Sequence, residues 1–169
     1  MRLIRIVLLA CAMASTVANA QTPPPACAAD EYQQFDFWLG DWQVTQRDGS
    51  VAGVNTIAKA YNGCVITEHY QVNGLPFGES LNAYDRVSKQ WHQTWMDRNG
   101  NVLRLSGGIQ GDSMVLSGST IDSQGQPATH RITWTPQPDG TVIQHWQYKQ
   151  DASTEWRTLF EGIYSQQAS

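Results

Sequence analysis

Small turn-forming pairs punctuate this chain: Asp48-Gly49, Asn62-Gly63, Asn73-Gly74, Asn99-Gly100, Gly111-Asp112, Gln124-Gly125 and Asp139-Gly140. Asn-Gly and Asp-Gly between alternating runs are hairpin signals, because both positions tolerate a positive φ. About ten short runs of strand-like composition lie between these pairs, near 42–47, 54–61, 64–72, 79–86, 90–97, 101–108, 113–120, 128–136, 141–149 and 156–165. Connections so short cannot carry a parallel crossover, so the strands form an antiparallel meander. An open meander leaves two unpaired edges, and closure into an up-and-down barrel removes both. The expectation is an all-β, about ten-stranded antiparallel barrel; a two-sheet sandwich is the other way to cover the edges.

Upstream of the strands, Phe35 to Trp42 reads FDFWLGDW. Asp30 stands where a helix N-cap would stand, and Tyr32, Phe35 and Leu39 follow at spacings of three and four. This predicts a short amphipathic helix ended by Gly40, capping one end of the barrel with its aromatics inward. Asp36 and Asp41 are carboxylates within this stretch, and Asp also favours turns, so both a catalytic and a turn-forming role are open.

Residues 1–20 read as a secretory signal peptide: Arg2 and Arg5, an apolar run from Ile6 to Ala14, and the small-x-small site Ala18-Asn19-Ala20. A loose lipoprotein-like box ends at Cys11 and offers lipidation as an alternative. Residues 21–29 form a Pro-rich linker, and 30–166 the single barrel domain. The location expected is periplasmic or secreted, with no integral membrane span left after cleavage. Loss of Arg2 and Arg5 takes the net charge from −4 to −6. Without a basic stripe, nucleic acid is not a partner. Cys27 and Cys64 are the cysteines left after cleavage, and in an exported chain they read as a disulfide. Free thiols or a metal pair are the alternatives.

Alternation assigns each strand two faces. One face mixes aromatics with polar groups: Glu68 with Tyr70, Asn82 with Tyr84, Gln93 with Trp95, and Gln144 with Trp146. A dry core excludes Asn, Gln and Glu, whereas a ligand cavity combines aromatic walls with a few placed polar groups. These eight residues are therefore assigned to the lumen as candidate ligand-binding residues. The competing assignment puts them on the solvent face with cross-strand aromatic partners.

Several segments together carry a resemblance: FDFWLGDW, Gly63-Cys64 with Glu68, Ser80-Leu81-Asn82 with Tyr84-Asp85, Trp91-His92-Gln93-Thr94-Trp95, and Met114-Val115-Leu116. Over roughly residues 27 to 165 the chain resembles a family of uncharacterised exported bacterial proteins with a calycin-like, lipocalin-type barrel, a domain of unknown function. The resemblance implies a fold and supplies no catalytic residues. The wider calycin group includes lipid binders and haem binders, the latter with a proximal His on a late strand. His130 and His145 lie on late strands here, in no matching motif, and no cofactor is expected.

The four histidines, His69, His92, His130 and His145, lack metal-ligand spacing, so no metal site is expected. There is no nucleophile elbow and no phosphate loop. Glu68 is the best acid–base candidate, since desolvation among aromatics raises a carboxyl pKa. It would serve as general acid or base, hydrogen-bond a ligand, or pair with Arg86, Arg104, Arg131 or Arg157. Three classes follow: a binding barrel for an apolar or amphipathic small molecule; a barrel enzyme of isomerase, hydratase or hydrolase type built on Glu68; and an envelope structural protein with a side-chain-filled barrel. Composition leaves the ligand and the oligomeric state open.

Overall fold

The computed structural model describes residues 26–167. The expected signal peptide, the lipoprotein-like Cys11 and most of the Pro-rich linker lie outside these residues. The described chain is a closed antiparallel barrel of ten strands. They are β1 (Gly40–Thr45), β2 (Val51–Ala60), β3 (Val65–Val72), β4 (Leu75–Asp85), β5 (Gln90–Asp97), β6 (Val102–Gln110), β7 (Ser113–Ile121), β8 (Pro127–Pro136), β9 (Val142–Gln150) and β10 (Arg157–Gln166). Each strand pairs with its sequence neighbours, and β1 closes against β10 with Trp42 opposite Gln166 and Val44 opposite Tyr164. Closure leaves no edge strand among the described residues to template aggregation.

The turns follow local chemistry. Asn73 and Gly74 both take positive φ, 53° and 72°, as a two-residue hairpin requires. At the longer turns an aspartate closes the loop. Asp97 Oδ1 accepts from the backbone N–H of Asn99 at 2.9 Å, and Asp122 Oδ1 from that of Gln124 at 2.9 Å.

The N-terminal segment closes one end, but not as a single amphipathic α-helix. It forms two 3₁₀ turns, Asp30–Gln33 and Asp36–Trp38, and Asp30 is the first helical residue, with Ala29 before it giving no side-chain cap. Packing decides this geometry. Phe35 and Trp38 are fully buried, and both reach the β8 tryptophan, Trp134, at ring centroid distances of 5.2 and 5.4 Å. Trp42 Nε1–H donates to the Trp38 carbonyl at 2.9 Å, which fixes where the segment enters β1. Asp36 and Asp41 tether this plug to β2: Lys59 Nζ donates to Asp36 Oδ2 at 2.7 Å, and Thr56 Oγ1 donates to Asp41 Oδ1 at 2.7 Å. A disulfide between Cys27 and Cys64 ties the start of the segment to the start of β3.

The barrel interior is thus two-tiered. The plugged half is apolar and rich in aromatics, with Trp91, Trp134, Met114, Leu116 and Val142 buried. Polar side chains enter the interior above them, and the opposite end is open.

Candidate functional site

Alternation along β3 points Ile66, Glu68 and Tyr70 inward, and Glu68 lies halfway between plug and mouth. Its carboxyl is buried, with 5% of the residue exposed, and it receives hydrogen bonds that run in from three other strands. On one side, Asn55 Nδ2 of β2 donates to Oε1 at 2.8 Å. On the other, Ser80 Oγ of β4 donates to Oε2 at 2.6 Å. Behind Ser80, Asn82 Nδ2 donates to Ser80 Oγ at 2.9 Å, and Gln93 Nε2 of β5 donates to Asn82 Oδ1 at 2.9 Å. Tyr164 of β10 donates its hydroxyl proton to Gln144 Oε1 of β9 and lies 3.4 Å from Asn55 Nδ2.

Above this floor is a chamber of about 330 Å³. Tyr70, Phe77, Trp95, Trp146 and Phe160 form most of its wall, with Glu68, Gln93 and Gln144 as its polar groups. Glycines make room for the rings: a Cβ at Gly78 would sit 2.4 Å from the Trp95 ring, and one at Gly53 2.8 Å from the Tyr70 ring. A second chamber of about 450 Å³ adjoins it at the mouth, sharing Trp95, Leu103, Trp146 and Leu159 and adding Asp97, Asp122, His130 and Tyr148.

Two β-bulges shape the inner chamber. The β3–β4 register jumps from Tyr70–Gly78 to Gln71–Pro76, leaving Phe77 unpaired and turned into the cavity. The β9–β10 register jumps from Thr158–Gln147 to Phe160–Trp146, leaving Leu159 to do the same. A bulge adds one residue to one strand and so reverses the inside–outside alternation beyond it. Trp156 and Thr158 consequently point outward, Trp156 under the Arg131 guanidinium at 4.2 Å.

Of the eight residues assigned to the lumen, Glu68, Tyr70, Gln93, Trp95, Gln144 and Trp146 line the inner chamber. Asn82 is fully buried in the polar chain and does not touch the chamber. Tyr84 belongs elsewhere: its ring packs on Tyr32 at 5.4 Å and on Trp91 at 6.1 Å, at the plugged end. It shares parity with Ser80, but four residues of strand carry it about 13 Å away. Asn55, Ser80 and Tyr164 complete the constellation and were missing from the sequence-based set. Ser80 was detectable as the residue two before Asn82 on the same face.

None of the proposed arginine partners reaches Glu68, which has no ion pair among the described residues. Arg131 is held outside by Gln147, whose Oε1 accepts from Arg131 Nη2 at 2.7 Å. Burial pushes the Glu68 carboxyl above its ordinary range, and the Ser80 and Asn55 donors oppose that shift without cancelling it. Burial likewise raises the Tyr70 phenol to about 12.

A raised carboxyl pKa has a defined sign in stability. The contribution of Glu68 is fully present below the unfolded carboxylate range and is lost as pH rises through its folded pKa. Turn carboxylates such as Asp85 and Asp139, held low by donors, act in the opposite sense and lose their contribution on acidification. The expected result is that the melting temperature of Glu68→Gln, relative to wild type, rises with pH above the acidic range. A difference that is flat with pH would show that Glu68 does not titrate anomalously.

The histidines sit apart from this floor. His69 pairs with Glu79 at 3.1 Å outside the barrel, and His145 Nε2 meets Thr158 Oγ1 at 2.9 Å. His130 faces the mouth; its Nδ1 accepts from Trp146 Nε1 at 3.0 Å, and burial lowers its pKa. Among the described residues no group of three or more His, Cys, Asp or Glu side chains could hold a metal. No helix among them is long and apolar enough to cross a membrane.

No protein-family model matches the chain, and a comparison with curated proteins finds no match.

Proposed function

We propose that this chain is an exported barrel that binds a small amphipathic molecule in its inner chamber. The observation carrying this reading is the unfilled, aromatic-walled cavity with three polar side chains at its floor, the usual composition of a small-molecule site. A barrel filled for structural purposes would occupy that space with side chains, and the cavity argues against that class. Export is supported by the expected signal peptide, by the resemblance to exported barrel proteins, and by a disulfide of the kind that persists in oxidising compartments.

A neutral amphiphilic dye, N-phenyl-1-naphthylamine, tests the reading. One equivalent is expected to bind saturably with enhanced fluorescence. Leu103→Trp, which places a larger side chain in the chamber wall, is expected to weaken binding at least tenfold while a cooperative melt persists. Absence of saturable binding to the wild type would overturn the reading.

One observation favours an enzyme: Glu68 is a buried carboxyl with a raised pKa and no ion-pair partner among the described residues, facing a cavity. Such a group can move a proton at a bound substrate, with Gln93 and Gln144 orienting it. Native mass spectrometry separates the two readings. A co-purified molecule that is unchanged after incubation with fresh apoprotein identifies a binding protein. A change in its mass identifies an enzyme.

A further inference from the structure

Resting on the binding reading, we propose that the chamber takes a cationic amphiphile, whose small protonated amine sits against Glu68 and whose apolar body lies among the rings. Three observations lead there. The first is what lines the cavity. No lysine, arginine or histidine lines the inner chamber among the described residues, so a carboxylate or phosphate head group would meet no countercharge. Burying an uncompensated anion beside another carboxyl is strongly unfavourable.

The second is the polarity of the hydrogen-bond chain. Ser80 Oγ accepts from Asn82 Nδ2 at 2.9 Å, which leaves its one proton for Glu68 Oε2 at 2.6 Å. Gln93 feeds Asn82 in the same sense, and Asn55 donates to the other oxygen. The chain runs toward Glu68, whose two oxygens accept from Ser80 and Asn55, a pattern that favours a carboxylate rather than a carboxylic acid. Each oxygen retains a lone pair for a ligand donor. Desolvation works against this charge, and a bound ammonium compensates it. The remaining titratable groups facing this carboxyl are the phenols of Tyr70 and Tyr164, both raised and neutral; His69 lies on the other face of β3, beside Glu79.

The third is the approach. Trp95, Trp146, Tyr70 and Phe160 line the chamber, and aromatic rings attract cations. Asp97 and Asp122 stand in the outer chamber, both below the ordinary carboxylate range: at Asp97 the Asn101 and Asn99 donors outweigh burial, and at Asp122 the Gln150 side chain of β9 and the Gln126 backbone N–H hold the charge. Their charge favours entry of a cation and opposes that of an anion.

Three probes of one chain length isolate the head group: octylammonium, octanol and octanoate, each measured by displacement of bound N-phenyl-1-naphthylamine at neutral pH. Octylammonium is expected to displace the dye at a concentration at least tenfold lower than octanol, and octanoate to be weaker than octanol. Glu68→Gln is expected to remove the preference for octylammonium over octanol. The wild-type series decides the question even if that variant folds poorly. Dye binding with octanol or octanoate equal to or better than octylammonium would overturn the cationic ligand and leave the binding barrel standing. Failure of the dye itself to bind would overturn both.

Discussion

Replacing Trp38 by alanine is expected to destabilise the protein by about 3–5 kcal/mol, the range for removing a large aromatic from a core. Trp38 is fully buried and stacks on Phe35 at 4.8 Å, with Trp134 and Tyr164 on its other sides. Truncation leaves a cavity in the middle of the plug, and the tilted Trp134 ring and edge-on Tyr164 ring are held by their own strands and cannot collapse into it. Trp38→Phe should cost less, for two reasons. It keeps most of the ring contacts, and it removes an indole N–H that has no partner among the described residues. Chemical denaturation of both variants checks this order. Equal losses would mean that the indole N–H is satisfied in solution, and a negligible loss for alanine would mean that the plug does not seal the barrel.

Breaking the disulfide, by reduction or by Cys27→Ser with Cys64→Ser, is expected to cost about 4 kcal/mol in the chain-entropy model, within the 2–5 kcal/mol usual for small exported domains. The cross-link joins residues separated by 37 positions. It also holds the turn before β3, where Tyr61, Asn62 and Gly63 all take positive φ, at 51°, 58° and 83°. A tyrosine in that region is unfavourable without an outside constraint. The loss should appear as a lower denaturation midpoint of the reduced protein. The inner chamber is bounded by other strands, so dye binding should survive wherever the reduced protein is still folded. Loss of dye binding at the same denaturant as in oxidised protein would show that the bridge is energetically idle.

Much of the fold was legible because it depends on local chemistry. Asn-Gly and Asp-Gly pairs demand hairpins, hairpins demand an antiparallel meander, and a long meander closes to hide its edges. The pairing of Cys27 with Cys64 followed from there being no other cysteine beyond the expected signal peptide. Period-two alternation put Glu68, Gln93 and Gln144 on a common face, because side-chain direction along a regular strand is a parity rule.

Tertiary structure decided the rest, and each case has its physical reason. The aromatic entry became two 3₁₀ turns because the rings had to reach Trp91 and Trp134, and short-range spacing does not contain those partners. Tyr84 kept the right parity but lies at the plugged end, since parity says nothing of depth along the barrel. Phe77 and Leu159 line the cavity through bulges, which reverse the alternation from which faces are read. Asn55 and Tyr164, 109 positions apart, meet beside Glu68 only because β1 pairs with β10 and closes the sheet. The open chamber above Glu68 is the last of these. The sequence by itself supplied part of its wall, Tyr70, Trp95 and Trp146, and the packing of ten tilted strands determined that about 330 Å³ is left unoccupied by side chains.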